Sequence, residues 1–346
     1  MKNFKLSKKI ISKDSKPYII AEMSANHNGS LKNAKKLVEA AKYAGADAIK
    51  IQTYTPDTMT INSKKKDFII KSGIWKNKKL YSLYKKAHTP WEWHKTLFEE
   101  AKKAGIVIFS SPFDKTAVDF LEELDTPAYK IASPEITDIP LIKYVAQRGK
   151  PIMLSTGMAN KKDIELAVET IRKEGLEEII LLKCTSSYPT VHNEMNLRGI
   201  PKLKKDFNCL VGLSDHSTDY IAPVSATVLG ASVIEKHIVI SKEEKTVDSF
   251  FSLDSEEFKN MVTMVRNAEA ALGTETYNAY DQVNLHGRRS LYITEDIKKG
   301  SRITEYNIAS VRPGMGLHPK HYDEVIGKTV NQDLKKGDRL KLDFIS

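Results

Sequence analysis

Short β-rich apolar runs recur along the first 240 residues of the chain, and stretches with apolar positions at helical spacing separate them. The runs cover residues 18–24, 47–53, 106–111, 128–133, 151–156, 178–185, 209–216 and 232–237. Strands that alternate with amphipathic helices indicate βα units and a parallel sheet. Eight such units in about 250 residues favour an α/β fold of the closed (β/α)8 type, a TIM barrel, over an open doubly wound sheet. No glycine-rich phosphate loop follows the first run, which argues against a dinucleotide-binding fold.

The pattern changes near residue 273. A helical pattern over residues 255–273 closes the barrel region, which gives a predicted first domain of residues 1–273, and residues 274–287 are predicted to be a linker. From residue 288 to residue 346, short alternating runs separated by KKG turns indicate a small, mostly β domain. The stretches DIKKG (296–300) and DLKKG (333–337) resemble each other, and we interpret them as two similar turns rather than as a repeat architecture.

Composition excludes several classes of protein. The contents of 41% hydrophobic and 28% charged residues are ordinary for a soluble globular protein, and Cys184 and Cys209 are too few to make a disulfide framework. The chain contains no run of 18 apolar residues, so no membrane span is predicted. The lysine-rich N-terminal stretch lacks the continuous apolar core of a signal peptide, and we therefore expect a cytoplasmic protein. The net charge of +10 comes from lysines dispersed in pairs over predicted helix faces. Without a basic stripe, this charge favours anionic small substrates over nucleic acid.

Polar residues end the predicted strands one after another. They are Glu22, Asn26 and His27; Lys50 and Gln52; Ser110 and Ser111; Lys130, Ser133 and Glu135; Ser155; Thr185, Ser186 and Tyr188; Ser214 and His216; Lys236 and His237. Because the carboxyl ends of barrel strands meet at one mouth, where TIM-barrel enzymes have their active sites, we expect the catalytic site there.

The stretch VGLSDHSTD (211–219) contains the residue types of a hydrolytic triad. Side chains alternate faces along a strand, so Ser214 and His216 point one way and Asp215 the other, which rules out a triad within this strand. His216 has a better partner in His237 at the end of the next strand, about 4.8 Å away. Two imidazoles with water and substrate oxygens suit a divalent cation such as Mn²⁺ or Zn²⁺, and a hydrogen-bonded histidine pair is the alternative.

Two predicted mouth lysines, Lys50 and Lys130, need an anion between them to offset their repulsion. Serines at neighbouring strand ends supply hydrogen-bond donors for it. The anion is therefore a phosphate, a carboxylate, or both on one molecule.

These residues lie in motifs that resemble the sialic acid synthase family, whose members condense phosphoenolpyruvate with an N-acylated amino sugar. The motifs span nearly the whole chain and are AEMSANHNGS, IKIQT, SSPF, YKIASPE, STGM, CTSSYPT, GLSDHS and EKH. Residues 288–346 resemble the antifreeze-like (SAF) domain that follows the barrel in these synthases, and VRPGMG matches its RPG motif.

The resemblance implies a role for each matched residue. It implies a divalent ion, Mn²⁺ or Mg²⁺, on His216 and His237. Phosphoenolpyruvate would bind to Lys50, Ser111, Lys130, Ser133, Ser155 and Ser214, with the two lysines stabilising charge during catalysis. The sugar would contact Gln52, Ser186, Tyr188 and Asp248, although Ser186 departs from the asparagine of some members. Glu22 and Glu135 would be the carboxylates nearest the chemistry, and Arg312 would reach the partner's barrel in a domain-swapped homodimer.

The sugar differs within the family. IKIQTYTPDT, LLKCTSSYPT and FFSLD look most like the pseudaminic acid synthases, whose sugar is 2,4-diacetamido-2,4,6-trideoxy-L-altrose. Neuraminate-type members have polar residues at the positions that Ile51 and Tyr54 occupy in this chain. This replacement is what a less polar sugar would favour. The alternatives are an N-acetylneuraminate or legionaminate synthase and, in a different class, a non-catalytic carbohydrate-binding protein.

Overall fold

The computed structural model describes residues 2–71, 75–274 and 284–346. The chain divides into two compact units, Met1–Gly273 and Thr274–Ser346. The predicted linker, 274–287, lies mostly outside the described residues, because 275–283 are not among them. None of the helices in the described ranges combines the length and the apolar character that crossing a bilayer requires.

The strands are β1 (Phe4–Leu6), β2 (Lys9–Ile11), β3 (Tyr18–Glu22), β4 (Ala48–Thr53), β5 (Val107–Pro112), β6 (Tyr129–Ile131), β7 (Ile152–Ser155), β8 (Ile179–Cys184), β9 (Leu210–Asp215), β10 (Val233–His237), β11 (Ser290–Ile293) and β12 (Ile308–Val311). The α-helices are α1 (Leu31–Tyr43), α2 (Pro56–Met59), α3 (Leu80–Ala87), α4 (Trp91–Ala104), α5 (Lys115–Glu123), α6 (Ile139–Ala146), α7 (Lys161–Lys173), α8 (Gly199–Phe207), α9 (Ile221–Val228), α10 (Ser255–Leu272) and α11 (Tyr322–Val325).

Strands β3 to β10 close into a parallel barrel in the order β10-β3-β4-β5-β6-β7-β8-β9, so the predicted eight-stranded barrel is confirmed. Each of the eight predicted apolar runs overlaps one of these strands. The first strand, β3, pairs with the last, β10, with His237 opposite Glu22. This pairing brings together strand ends that are more than 200 residues apart in the chain.

Alternation along the strands builds two cores. One set of side chains, which includes Ile20, Phe109 and Leu182, fills the barrel interior. The other set, which includes Ile49 and Ile51, packs outward among the helices. Burying both faces explains why the strand sequences are nearly continuous apolar runs.

A two-stranded antiparallel hairpin of β1 and β2 precedes the barrel, and the sequence analysis did not predict it. Phe4, Leu6 and Ile11 of this hairpin are buried in the same cluster as Tyr18, which begins β3. The hairpin therefore covers the end of the barrel opposite the mouth.

The second unit has its own core, centred on Leu291, Ile308 and Leu340. Its two KKG turns contact each other reciprocally. Asp333 accepts a hydrogen bond from the backbone N–H of Lys299, and Asp296 accepts one from that of Lys336, each at 2.9 Å. The two similar turns of the sequence are thus two halves of one interaction.

Candidate active site at the barrel mouth

Inward-facing polar side chains line the carboxyl end of the barrel. Those on the strands or directly after them are Glu22, Lys50, Gln52, Ser111, Lys130, Ser155, Cys184, Ser214, His216, Glu235 and His237. Most of the residues that the sequence analysis selected therefore come together at one place. They lie directly above the apolar layers of the interior, so the barrel fixes their positions.

Two lysines and two carboxylates form a buried charge cluster. Lys50 Nζ lies 2.5 Å from Glu22 Oε2 and 3.6 Å from Glu235 Oε1, and Lys130 Nζ lies 3.3 Å from the same Glu235 oxygen. All four side chains are at most 7% exposed. The formal charges cancel, which satisfies the requirement that buried charges be paired. The two lysines therefore have counter-ions in the protein itself.

Glu235 is the functional candidate that the sequence analysis missed. Besides contacting both lysines, its Oε1 accepts a hydrogen bond from Ser214 Oγ at 3.2 Å. Burial by itself raises the pKa of Glu235, but the charges of Lys130 and Lys50 outweigh it and lower the pKa below its usual value. The carboxylate is therefore charged and holds three residues of the predicted phosphoenolpyruvate site.

Lys236, which the sequence analysis grouped with His237 at the mouth, lies on the other face of β10. Its Nζ contacts Asp215 Oδ2 at 2.5 Å and the Ser217 carbonyl oxygen at 2.6 Å. The alternation that separates Asp215 from Ser214 and His216 also separates Lys236 from its neighbours on β10. The same alternation, applied to the EKH motif, predicts that Glu235 and His237 face the mouth and that Lys236 does not.

Several buried polar atoms at the mouth have no hydrogen-bond partner among the described residues. They are Glu235 Oε2, His237 Nδ1, Ser155 Oγ and Glu135 Oε2. Leaving a buried polar atom unpaired costs about 1–3 kcal/mol, so native proteins keep few of them. Several such atoms close to two lysines are typical of a site that binds a polar ligand.

Ser133, Ser186 and Gly157 meet at the ends of β6, β7 and β8. Ser133 Oγ accepts a hydrogen bond from the backbone N–H of Gly157 at 3.1 Å. A Cβ atom at position 157 would lie 2.5 Å from Ser186 Oγ and 2.9 Å from Ser133 Oγ. The glycine of the STGM motif is therefore required by the close approach of two predicted ligand-binding serines.

His216 and His237 face each other with ring centroids 5.2 Å apart. Nδ1 of His216 lies 3.1 Å from the Thr185 carbonyl oxygen, which orients that ring. Burial lowers the pKa of His237 well below its usual value, so this ring is neutral and has a lone pair available. The described residues hold no group of three or more His, Cys, Asp or Glu side chains arranged for a metal ion. Two imidazoles still fit a divalent cation whose remaining ligands are water and substrate oxygens.

The predicted sugar contacts form a polar network next to the charge cluster. Gln52 Nε2 donates to Glu22 Oε1 at 2.9 Å and to Ser24 Oγ at 3.1 Å, and Ser24 Oγ donates to Asp248 Oδ2 at 2.6 Å. Tyr188 packs its ring 4.5 Å from that of His216.

The structure also gives the positions of three further residues that were singled out in the sequence, Ile51, Tyr54 and Arg312. Ile51 packs outward against the helices and does not face the mouth. Tyr54 is 3% exposed and packs its ring edge-to-face against Phe113 at 5.2 Å. Arg312 belongs to the second unit, where it is exposed directly after β12.

Glu135 combines burial with proximity to Lys130. Burial raises its pKa to about 7, although the charge of Lys130 acts in the opposite direction. A carboxyl group that titrates near neutral pH can both donate and accept a proton under working conditions.

The chain is similar to known proteins over nearly its whole length. The NeuB family matches residues 37–277, and the SAF domain matches residues 288–345. The chain is 52% identical to the pseudaminic acid synthase of Campylobacter jejuni subsp. jejuni serotype O:2 (strain ATCC 700819 / NCTC 11168), covering 95% of this chain and 96% of that protein. It is 37% identical to the N,N'-diacetyllegionaminic acid synthase of the same strain, covering 94% and 99%.

A crystal structure agrees with the fold as well. The N-acetylneuraminic acid synthetase of Leptospira borgpetersenii serovar Hardjo-bovis superposes with a TM-score of 0.73 at 30% identity, covering 81% of this chain and 93% of that one. The resemblance inferred from the motifs is thereby confirmed, and the chain belongs to the NeuB family, with an SAF domain following its barrel in the sequence.

Proposed function

We propose that the protein is a pseudaminic acid synthase. It condenses phosphoenolpyruvate with 2,4-diacetamido-2,4,6-trideoxy-L-altrose by C–O cleavage and releases phosphate. The observation that carries the reaction class is the buried lysine pair beside serine and imidazole atoms that have no hydrogen-bond partner in the described parts of the chain. The choice of sugar rests on the higher identity to the pseudaminic acid synthase, 52%, than to the legionaminic acid synthase, 37%.

Phosphoenolpyruvate carries a phosphate and a carboxylate on three carbons, which suits two lysines bridged by one carboxylate. Lys50 and Lys130 both lie within 3.6 Å of Glu235 Oε1. Ser111, Ser133, Ser155 and Ser214 add hydroxyl groups, of which Ser155 Oγ has no partner among the described residues. The lysines act by electrostatic stabilisation of the phosphate and carboxylate charges, and neither forms a covalent bond.

His216 and His237 would hold the divalent ion, Mn²⁺ or Mg²⁺. When bound, the ion supplies Lewis-acid polarisation of the sugar aldehyde. The Thr185 carbonyl oxygen orients His216, and the barrel strands fix the separation of the two rings.

The reaction joins C3 of phosphoenolpyruvate to the aldehyde carbon, water adds at C2, and the resulting tetrahedral centre loses phosphate. Proton transfers accompany the first and second steps. Glu135 is suited to them because burial raises its pKa to about 7. Glu22 has a different task, since one of its oxygens pairs with Lys50 and the other accepts a hydrogen bond from Gln52.

Arg312 completes the proposal. Its guanidinium group is exposed in the SAF domain and suits planar acyl or carboxyl groups. In a domain-swapped homodimer it would contact the sugar bound in the partner subunit's barrel. The proposal also places the reaction in the cytoplasm, where phosphoenolpyruvate is made.

Phosphate release from phosphoenolpyruvate tests the proposal directly. The purified protein is assayed with Mn²⁺ and a panel containing the pseudaminic, legionaminic and neuraminic precursors. We expect the highest kcat/KM with 2,4-diacetamido-2,4,6-trideoxy-L-altrose. A preference for another sugar would support the legionaminate or neuraminate alternative, and no phosphate release with any sugar or metal would favour the non-catalytic binding protein.

A further inference from the structure

Four aromatic rings, here called the aromatic wall, cover one side of the barrel mouth: Trp75, Tyr188, Phe250 and Phe251. They come from three segments, those that follow β4, β8 and β10. Tyr188 contacts Phe251 with ring centroids 5.3 Å apart, and Trp75 contacts Tyr188 at 6.1 Å and Phe250 at 6.0 Å. Of these four residues, only Tyr188 belongs to the predicted sugar site.

The aromatic wall has an inner and an outer pair. Tyr188 and Phe251 form the inner pair, because their centroids lie 4.5 Å from His216 and 4.7 Å from His237, respectively. Trp75 and Phe250 form the outer pair, each one ring further from the histidines. An open six-carbon sugar extends about 6 Å from its first to its last carbon, at about 1.5 Å per bond. A sugar with its aldehyde at the histidines would therefore extend past the inner pair toward the outer pair.

Exposure differs among the four rings, and Tyr188 of the inner pair is partly buried. Phe251 is 1% exposed and anchors the wall, whereas Phe250 is 37% exposed and Trp75 is only partly buried. Large aromatic side chains on a binding surface supply most of its contact energy when a ligand covers them. The same segment that carries Phe250 also supplies Asp248 to the polar network, so the mouth has an apolar part beside a polar one.

We propose that Trp75 and Phe250 form the subsite that selects the sugar by its apolar groups, the C6 methyl and the methyl of the C4 acetamido group. This inference rests on the proposed function. A methyl group gains from burial against these rings, whereas a hydroxyl group there loses hydration without a replacement partner. Discrimination by a hydrophobic pocket against one changed group is typically 10–200-fold. The polar network would hold the sugar's remaining hydroxyl groups.

The test compares kcat/KM for 2,4-diacetamido-2,4,6-trideoxy-L-altrose with that for its 6-hydroxy analogue. Trp75→Ala and Phe250→Ala should each lower the preference for the trideoxy sugar about 10-fold. Phe250→Leu, which keeps an apolar surface, should retain most of it. Tyr43→Ala is the matched control, because Tyr43 is an exposed aromatic residue on α1.

Phosphoenolpyruvate binding, measured by calorimetry, separates a lost subsite from a misfolded variant. We expect its affinity to change less than twofold in the Trp75 and Phe250 variants. A preference for the trideoxy sugar that stays within twofold of wild type in both alanine variants would overturn the inference and leave the proposed function intact. Wild-type protein that releases no phosphate with the trideoxy sugar would instead overturn the proposed function, and the inference with it.

Discussion

Glu135 makes the stability of the free protein depend on pH in a way that one substitution can remove. Burial raises its pKa from the usual 4.5 to about 7. Between these pH values the folded protein holds a proton that the unfolded chain releases. The stability that this proton contributes is present below pH 4.5 and is lost as the pH rises through 7.

The size of the effect follows from the two pKa values. Each pH unit between them corresponds to 1.36 kcal/mol, which gives an upper bound of about 3 kcal/mol. Because the side chain is partly exposed to water, we expect about 2 kcal/mol. Glutamine is neutral at every pH, so Glu135→Gln should be about 2 kcal/mol more stable than wild type at pH 8, and this difference should shrink steadily toward pH 5.

Urea unfolding at pH 5, 6, 7 and 8, without phosphoenolpyruvate or metal, measures this difference. Glu123→Gln serves as the control, because Glu123 is exposed on α5, and its difference from wild type should be the same at every pH. A constant difference between Glu135→Gln and wild type across the range would refute the reasoning. In the assay of phosphate release, the same variant should lose about 100-fold in kcat at pH 7, the usual contribution of a positioned proton donor or acceptor.

Three further predictions concern other parts of the site. His216→Ala and His237→Ala should each abolish Mn²⁺ binding in calorimetry as well as phosphate release, and full activity of the wild type in chelator would contradict the metal role. Glu235→Gln should lower the free energy of unfolding by about 3 kcal/mol, because it leaves Lys130 buried without its carboxylate partner. Phosphoenolpyruvate should restore part of that loss, and an unchanged unfolding midpoint would show that the carboxylate does not balance the lysines. Arg312→Ala should lower kcat/KM for the sugar at least 10-fold without changing the melting temperature, and activity that survives deletion of residues 288–346 would exclude the proposed contact across a homodimer.

The barrel could be predicted from sequence because its strands are buried on both faces and are therefore long apolar runs. The hairpin of β1 and β2 gave no such signal. Each of its strands has three residues, and its buried Phe4, Leu6 and Ile11 lie in a lysine-rich stretch with no long apolar run. Those three residues are stabilised by packing against the interior of the barrel, a contact that the local sequence does not indicate.

The site was predictable as far as strand alternation was applied. That rule assigned Ser214, Asp215 and His216 to their faces, and it would have found Glu235 in the same way. The outer pair of the aromatic wall is different, because Trp75 and Phe250 lie in loops, which have no period that fixes the direction of a side chain. Their proximity depends on the closed barrel bringing two distant loops together.

The carboxylate on the final barrel strand has a consequence for how the chain is made. During synthesis from the N-terminus, Lys50 emerges with Glu22 already present, but Lys130 has no carboxylate partner until Glu235 follows, about a hundred residues later. A nascent chain that ends before β10 therefore has an open barrel in which the charge of Lys130 lacks its partner Glu235. Such a chain has both an unpaired sheet edge and an uncompensated lysine, which opposes premature closure. The arrival of β10 completes the hydrogen bonding of the barrel and the charge balance in one step, so the charge cluster and the closed barrel should form together during synthesis.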